Sequence, residues 1–398
     1  MRLALTALLV ALMLAPAPAT AGPAPLEGAQ LVEAWPGLAF NEPVQVAHAG
    51  DGTDTLYVLE IRGVIKRLPK HRGGGPAPSP TVVLDLTKTG KVQTKGQGGV
   101  LGMAFHPKHA DNGLFYLSYL AGTDGAFKLV VAEYRMANGA CDVGSERIVI
   151  EVPKTRFIHQ AGGLAFGPDG MLYVGVGDDG AKNDKDGNAQ NPGKLLGKIL
   201  RLDVSPRQAY AIPGDNPWAK AAGVRPELWA YGFRNPWRLS FGPDGTLWVG
   251  EPGTGDAQCR EWFTAVQRGG NHGWPFMEGN NPNPGAGTPP NGFTYVRRAF
   301  EYARPDPEGG SCGIGGRIYT GARLPALAGK YVFADYELGE IYCVTMAKEA
   351  AGWTGSDHRV VAKMEHCVSI DADAQGELYL CRGDASDQGG TVYTLVPR

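Results

Sequence analysis

The stretch FGPDGMLYVGV (residues 166–176) combines a Gly-Pro-Asp-Gly turn with an alternating apolar strand that carries an aromatic residue. It returns almost unchanged as FGPDGTLWVGE at residues 241–251. An Asp-Gly pair between two apolar runs is a strong local signal for a β-hairpin. Each copy therefore predicts two antiparallel strands joined by a tight turn.

Four other segments share this design, in which a turn rich in Gly, Asp or Asn precedes a strand with an aromatic residue. They are AGDGTDTLYVLE (49–60), KHADNGLFYLSY (108–119), LAGKYVFADY (327–336) and DAQGELYLCR (373–382). Six units at this spacing leave room for about four short strands each, which is the layout of a β-propeller. We therefore predict an all-β protein, a single six-bladed β-propeller domain of four-stranded antiparallel blades over residues 22–398. A pair of β-sandwiches does not explain one recurring unit.

The composition agrees with many strands joined by tight turns, since the 398 residues include 58 Gly and 30 Pro. Two segments, NPWAKAAGV (216–224) and CREWFTAVQRG (259–269), are predicted to form a few turns of helix. The segment EGNNPNPGAGTPPNG (278–292) is predicted to be a surface excursion with little capacity to pack. The net charge of −2 gives no basic field for nucleic acid or an anionic membrane.

The N-terminus has the pattern of a secretory signal peptide. Arg2 precedes an apolar run that ends near Leu14, and Ala19-Thr20-Ala21 is a small-residue cleavage site. A membrane anchor is the alternative, but this run is short for the roughly 20 residues that a span needs. We therefore expect residues 1–21 to be removed and the protein to be periplasmic or secreted, with no later membrane span.

An exported chain can form disulfides, and this one has six cysteines. Cys367 and Cys381 flank a turn almost symmetrically and could face each other across a hairpin. Their pairing is left open. The sequence lacks a Cys-x-x-Cys-His motif and therefore an attached c-type haem.

The longer stretch FIHQAGGLAFGPDGMLYVGVGDDG (157–180) places a histidine at one open end of the predicted hairpin. Folding the hairpin brings His159 close to Asp178 at the other end. A histidine with one ring nitrogen held by a carboxylate can present the other as a base near neutral pH. An ordinary loop histidine, bonded to its surroundings, is the alternative.

The loop YGFRNPWRLSFGPDG (231–245) carries Arg234 and Asn235 directly before a proline, which excludes regular structure there. Arginine offers a rigid donor fork for carboxylate or quinone oxygens. The alternative is that Arg234 only supports the turn by bonding nearby carbonyls. The polar loop TKGQGGVLGMAFHP (94–107) carries Gln97 before an apolar strand, although a simple connection between blades also explains it.

The glycine-rich loop GEPGTGDAQCREWF (250–263) could supply oxygens to calcium, which takes six to eight oxygen ligands. Its backbone carbonyls, Asp256 and Glu261 are the candidate donors. The spacing is not that of an EF-hand, so an ordinary acidic loop explains it as well.

A series of strings follows along the chain in a distinctive order. They are GQGGVLGMAFHP (96–107), HQAGGLAFGPDGMLYVGVGDDG (159–180), GKLLGKILRLD (193–203), IPGDNPW (212–218), PELWAYGFRNPWRLSFGPDG (226–245), GGNHGWPFMEG (269–279), and GGRIYTG with LPALAGKYVFADY (315–336). Together they resemble the glucose/sorbosone dehydrogenase family, soluble aldose dehydrogenases that depend on pyrroloquinoline quinone (PQQ). The NPWR and GGRIYTG forms resemble the sorbosone-dehydrogenase-like and Hedgehog-interacting-protein-like branch more closely than the glucose enzymes.

The resemblance implies a six-bladed propeller and an assignment of roles. His159 would be the general base that removes the C1 hydroxyl proton of the sugar while hydride passes to C5 of the quinone. Asp178 would orient this base, and Arg234 would stabilise the charge that develops on the quinone. The cofactor contacts implied are Gln97, Arg234, Asn235, Asn183 and Arg382. The calcium ligands that the resemblance implies are the carbonyls of Gly253 and Thr254, beside Asp256 and Glu261, which the loop sequence itself suggests.

The chain departs from the glucose-type members in two places. Pro252-Gly253-Thr254 replaces a Gln-Gly-Pro, and EHCVSID (365–371) has no arginine where one is usual, so that Arg382 lies on the following strand. Three hypotheses follow: an exported PQQ- and calcium-dependent sugar dehydrogenase with an unknown electron acceptor; a propeller of this family that binds a carbohydrate or protein without turnover; and a calcium propeller hydrolase such as a lactonase.

Overall fold

A computed structural model describes residues 22–71, 76–123, 125–206, 208–255, 259–304, 310–383 and 390–398. The predicted signal peptide (1–21) and Asp256 lie outside these ranges. The described residues form six four-stranded antiparallel sheets, arranged as the blades of a β-propeller. The predicted fold class is therefore confirmed.

The chain opens with β1 (Ala29–Glu33) and then forms one blade after another. The first blade contains β2 (Pro43–His48), β3 (Thr55–Glu60), β4 (Val64–Pro69) and β5 (Thr81–Asp85). The second contains β6 (Val100–Phe105), β7 (Leu114–Thr123), β8 (Ala126–Ala137) with its short partner β9 (Ala140–Cys141), and β10 (Arg147–Lys154). The third contains β11 (Ala161–Phe166), β12 (Leu172–Val176), β13 (Lys198–Leu202) and β14 (Leu228–Tyr231).

The remaining blades follow the same antiparallel order. The fourth contains β15 (Arg238–Phe241), β16 (Leu247–Glu251), β17 (Arg260–Ala265) and, after a small hairpin of β18 (Met277–Glu278) and β19 (Asn281–Pro282), β20 (Phe300–Ala303). The fifth contains β21 (Gly313–Ile318), β22 (Tyr331–Asp335), β23 (Glu340–Glu349) and β24 (Gly352–Lys363). The sixth contains β25 (Cys367–Ala372), β26 (Leu378–Arg382) and β27 (Thr391–Pro397).

The ring is closed by the first strand of the chain. β1 pairs with β27 from Ala29 opposite Pro397 to Glu33 opposite Tyr393, and so becomes the outer strand of the sixth blade. The first strands of successive blades contact one another in a circle, which makes β2, β6, β11, β15, β21 and β25 the wall of a central channel. The radial arrangement leaves each blade only short, protected sheet edges.

The recurring aromatic residue lies on the second strand of every blade and is buried. These residues are Tyr57, Tyr116, Tyr173, Trp248, Tyr331 and Tyr379, none more than 4% exposed. Tyr57, Tyr116 and Tyr173 contact the phenylalanine that ends the first strand of the next blade, with ring centroids 4.7, 5.3 and 5.1 Å apart. In these blades the repeated aromatic residue therefore packs against the next blade and helps to hold the two together.

Both helix predictions were wrong. Residues 216–224 form turns, and most of 259–269 is β17, the third strand of the fourth blade. Trp262 and Phe263 on this strand are fully buried, so tertiary packing overrides the local helix propensity. Within the described ranges the only α-helix is α1 (His109–Asn112), beside three-residue 3₁₀ turns at Val143–Ser145, Lys182–Asp184, Pro284–Ala286 and Pro325–Leu327. No helix of the described chain is long and apolar enough to span a membrane.

The cysteine pair suggested by the sequence lies on paired strands but out of register. Cys367 is opposite Arg382, and Cys381 is opposite Ser369. All six cysteines fall within the described residues and are free thiols. The suggested Cys367–Cys381 disulfide is therefore not formed in this structure.

Trp237 and Arg238 cross the central channel at the start of the fourth blade. The Arg238 guanidinium donates to the carbonyls of Leu101 and Val44 at 2.7 and 2.6 Å, which lie on the first strands of the second and first blades. The Trp237 indole donates to the carbonyl of Val368 in the sixth blade at 3.0 Å. The guanidinium lies 4.3 Å from the Trp237 ring. These contacts tie four blades together across the axis.

Candidate active site

His159 and Asp178 meet at the open end of the third-blade hairpin. His159 lies just before β11 and Asp178 just after β12, so pairing of these strands brings the two together as the sequence predicted. Nδ1 of His159 lies 2.6 Å from Oδ1 of Asp178. Only 8% of His159 is exposed, and Asp178 is fully buried.

Three further contacts fix Asp178, two through its carboxylate and one through its backbone. Its Oδ2 accepts the indole N–H of Trp274 at 2.8 Å, and its Oδ1 accepts the backbone N–H of Gly180 at 2.7 Å. The backbone N–H of Asp178 donates to the carbonyl of Arg234 at 2.9 Å. Because an ionised carboxylate only accepts, Nδ1 of His159 carries the proton and Nε2 is left as the basic nitrogen.

The surroundings keep this pair in the state that a general base requires. Burial lowers the pKa of His159, and the Arg234 charge adds to that, so the opposing effect of Asp178 is outweighed. Burial alone would raise the pKa of Asp178, but the His159 hydrogen bond and charge, with Arg234, hold it below its usual value. Near neutral pH the imidazole is therefore neutral and the carboxylate ionised.

Arg234 and Asn235 are fixed by a buried carboxylate. Oε1 of Glu251 accepts both of their backbone N–H groups, at 2.7 and 3.1 Å, and its Oε2 accepts the Trp262 indole N–H at 2.9 Å. The Asn235 side chain accepts the backbone N–H of Ala161 at 2.9 Å, which joins this loop to β11. The loop is thus locked against the strand that follows His159.

The Arg234 guanidinium faces the same cavity as His159. That cavity measures about 240 Å³ and is also lined by Asn183, Thr254 and Trp274. The guanidinium lies 5.7 Å from the Trp274 ring. Among the described residues it makes one hydrogen bond, to the carbonyl of Pro252 at 3.2 Å. Most of its donor fork therefore remains for a ligand.

A second cavity lies beside the first, over the mouth of the channel. It measures about 410 Å³, and its lining includes Gln97, Asn235, Pro252 and Trp237. Since Arg234 and Asn235 are consecutive and line one cavity each, the two spaces are neighbours. Gln97 also reaches the base, because its side-chain oxygen accepts the backbone N–H of His159 at 2.7 Å.

The structure brings some of the sequence-predicted cofactor residues together and separates one. Asn183 lines the cavity of His159, and its side chain accepts a hydrogen bond from Asn283 at 3.3 Å. The segment 278–292 therefore packs in part against the site, where the sequence indicated a free excursion. Arg382 lines a different cavity, with Lys363, Glu365 and Tyr393.

The candidate calcium loop is held by carboxylates. Oε2 of Glu261 accepts the backbone N–H groups of Gly253 and Gly313 at 3.2 and 2.6 Å, and its Oε1 accepts the Ser311 hydroxyl at 2.8 Å. The N–H of Thr254 donates to Glu278 at 2.8 Å. Within the described residues no group of three or more His, Cys, Asp or Glu side chains could hold a metal ion.

Sequence reasoning missed three residues that shape the site. Glu251 and Trp274 lie in the recognisable segments 241–251 and 269–279, but neither carried a signal of its own. Lys154, at the end of β10, had no sequence signal because its partners are backbone carbonyls.

Comparisons with known proteins indicate the family to which the chain is related. The model of the family described as Glucose / Sorbosone dehydrogenase matches residues 40–393. HIPL1 protein of Arabidopsis thaliana is 29% identical over 72% of this chain and 50% of its own length. Aldose sugar dehydrogenase YliI of Escherichia coli is 34% identical over 46% of this chain and 48% of its own.

Solved structures share the fold. The PQQ-bound form of aldose sugar dehydrogenase from Streptomyces coelicolor matches with a TM-score of 0.70 at 21% identity, over 94% of this chain and all of that one. The chain spans about half the length of the curated relatives it matches most extensively.

Proposed function

This chain belongs to the glucose/sorbosone dehydrogenase family, in the predicted branch, and we propose that it is an exported PQQ-dependent dehydrogenase that oxidises an aldose-type sugar at C1. One observation carries the proposal. The buried pair of His159 and Asp178, joined at 2.6 Å, opens onto the same cavity as the guanidinium of Arg234. The base suits removal of a proton from the substrate. The guanidinium, most of whose donors are not used within the described protein, suits stabilisation of the negative charge that develops on a bound acceptor.

In the proposed reaction each of these residues would have a distinct role. Nε2 of His159 takes the proton of the C1 hydroxyl, while Asp178 keeps the proton on Nδ1 and stabilises the imidazolium that forms. PQQ, when bound, supplies the acceptor for the C1 hydride and its two electrons, so that the sugar leaves as the lactone and an external acceptor reoxidises the cofactor. The sugar would enter the cavity that Trp274 lines together with His159.

The residues present fit an anionic planar quinone. Arg234 has donors to spare, and Asn235 and Gln97 line the adjacent cavity over the channel. We propose that these three, with Asn183, hold PQQ. Arg382 is left out of this set because it lines another cavity.

We include calcium in the proposal, with fewer ligands than the four that the sequence suggested. The N–H of Thr254 points at Glu278, and a trans peptide directs its N–H and C=O oppositely, so the Gly253 carbonyl points away from that carboxylate. We propose that the Gly253 and Thr254 carbonyls, with Asp256, take the cation. Glu261 is left out because both of its oxygens already accept hydrogen bonds.

The ring of His159 should titrate below 6.5 in the cofactor-free protein, because burial and Arg234 disfavour its protonation. In Asp178→Asn the pKa should fall further, since the carboxylate that favours the proton is gone. Histidine NMR of the two proteins measures both values. A wild-type pKa above 6.5, or a rise in Asp178→Asn, contradicts the assigned pair.

Arg234→Met should weaken PQQ binding by about 10- to 100-fold, because a hydrogen bond to a charged group contributes about 1.5–3 kcal/mol. Quenching of tryptophan fluorescence during a PQQ titration gives the dissociation constants. Arg268→Met is the matched control, since among the described residues the hydrogen bonds of that exposed arginine go to the carbonyl of Asp215. Equal affinities for wild type and Arg234→Met contradict the proposed role.

The direct test of activity uses the purified mature protein with PQQ and calcium. Dye reduction is followed over a panel of aldoses, and we expect at least one sugar to support turnover. The proposal fails if the loaded protein reduces no dye with any sugar.

A second candidate function is carbohydrate or protein binding without turnover. The separation of Arg382 from the site favours it, because one expected cofactor contact is missing. Sugar or partner binding by a protein that takes up no PQQ would support this candidate.

A further inference from the structure

Lys154 is a buried cation between the two segments that carry His159 and Asp178. It ends β10 and is 2% exposed. Its ammonium donates to the carbonyl of His159 at 2.9 Å and to the carbonyl of Gly177 at 3.1 Å. Gly177 directly precedes Asp178, so one side chain bridges the backbone of the base and that of its carboxylate partner.

The backbone at this point requires such a bridge. His159 has a φ of +52° and Asp179 a φ of +74°, a left-handed conformation that residues with a side chain adopt at a cost. The two segments are also in close contact, since a Cβ on Gly177 would overlap the His159 carbonyl. Surrounding contacts must therefore hold the chain in place, and Lys154 contacts both segments.

The charge of Lys154 also acts on the pair. Burial lowers the pKa of its ammonium to about 8, against the opposing charges of Asp179 and Asp178. The cation helps to lower the pKa of His159. Within the described part of the chain, the charged groups around Lys154 and the pair are Asp178, Asp179 and Arg234, together with Arg156, which lies 3.6 Å from Asp179. Asp184 and Lys198 act on Asp178 from the loop and strand that follow.

We propose that Lys154 is a positioning residue, which holds the His159 and Asp178 segments at hydrogen-bonding distance. The proposal rests on the proposed function for its effect on rate. It does not depend on that function for its effect on the histidine ring. Lys154 touches neither substrate nor cofactor in this account.

The test compares Lys154→Met with wild type. The matched control is Lys128→Met, because Lys128 is opposite Pro153 on the neighbouring strand and pairs with the exposed Glu151. Histidine NMR on the cofactor-free proteins gives the pKa of His159, and steady-state assays on the PQQ-loaded proteins give kcat and KM. If Lys154→Met does not fold, Lys154→Gln, which keeps N–H donors without the charge, takes its place.

We expect the His159 pKa to rise in Lys154→Met, because a nearby positive charge is removed and the ring gains access to water. We expect kcat to fall by about 10- to 100-fold with KM changed by less than about threefold, since small misplacement of a base has effects of this size. Lys128→Met should match wild type in both. An unchanged His159 pKa together with unchanged kcat overturns the proposal. If the wild-type protein oxidises no sugar, the proposed function fails, and the pKa comparison alone decides the role of Lys154.

Discussion

Replacement of His159 by alanine is expected to lower kcat for sugar oxidation by about 10²- to 10⁴-fold, the usual contribution of a positioned general base. The reason is geometric. Within the described site, His159 is the one imidazole that is held by a buried carboxylate and also lines the cavity with Arg234. Without it the C1 hydroxyl proton has no acceptor fixed in place. The measurement is dye reduction by the PQQ-loaded variant at saturating sugar.

Two further variants control this result. Asp178→Asn should give an intermediate loss, because the ring remains but its proton is no longer held on Nδ1. His71→Ala should match wild type, since His71 follows β4 in the first blade and is not among the residues that line the two cavities of the site. If His159→Ala keeps more than half of the wild-type kcat, the assigned base is wrong even where the protein is a dehydrogenase.

Arg238→Met is expected to lower the free energy of unfolding by about 3–5 kcal/mol, because two buried hydrogen bonds from a charged group are lost and each contributes about 1.5–3 kcal/mol. The substitution removes both donors to the carbonyls of Leu101 and Val44. It also leaves the buried Asp371 without the cation that most favours its ionised form. The first, second and fourth blades lose a shared contact across the channel. Urea unfolding at constant pH gives the difference in free energy.

An exposed arginine provides the matched control for this loss. Arg359 pairs with Asp357 on the surface of β24, and exposed pairs contribute at most about 1 kcal/mol. Arg359→Met should therefore change stability little. A loss below about 1 kcal/mol for Arg238→Met would show that the ties across the channel are dispensable.

Local patterns were sufficient to predict the blades. The Gly-Pro-Asp-Gly turns specify hairpins within a dozen residues, and the aromatic residue marks the second strand in every blade. The contact between His159 and Asp178 was also predictable because one hairpin joins them. The prediction of the blades was strong because the same turn and aromatic strand occur six times along the chain.

Contacts between distant parts of the chain were not predictable from the sequence. Trp274 donates to Asp178 from 96 residues further along the chain. Arg238 reaches carbonyls that are 137 and 194 residues away. The strand at Arg260–Ala265 was mistaken for a helix because its neighbours in the sheet, rather than its own sequence, decide its conformation. Export, the calcium ligands and the roles of the site residues stay predictions.

The central claim is that this propeller oxidises an aldose at C1 with His159 as the base. A single-turnover experiment tests it most directly. The PQQ-loaded protein is mixed without oxygen or dye with an aldose that carries hydrogen or deuterium at C1. We predict that the absorbance of the oxidised quinone is lost in the wild type, and that the loss is slower when C1 carries deuterium. In His159→Ala we predict no loss over the same time. A loaded wild-type protein whose quinone stays oxidised with every aldose would contradict the account.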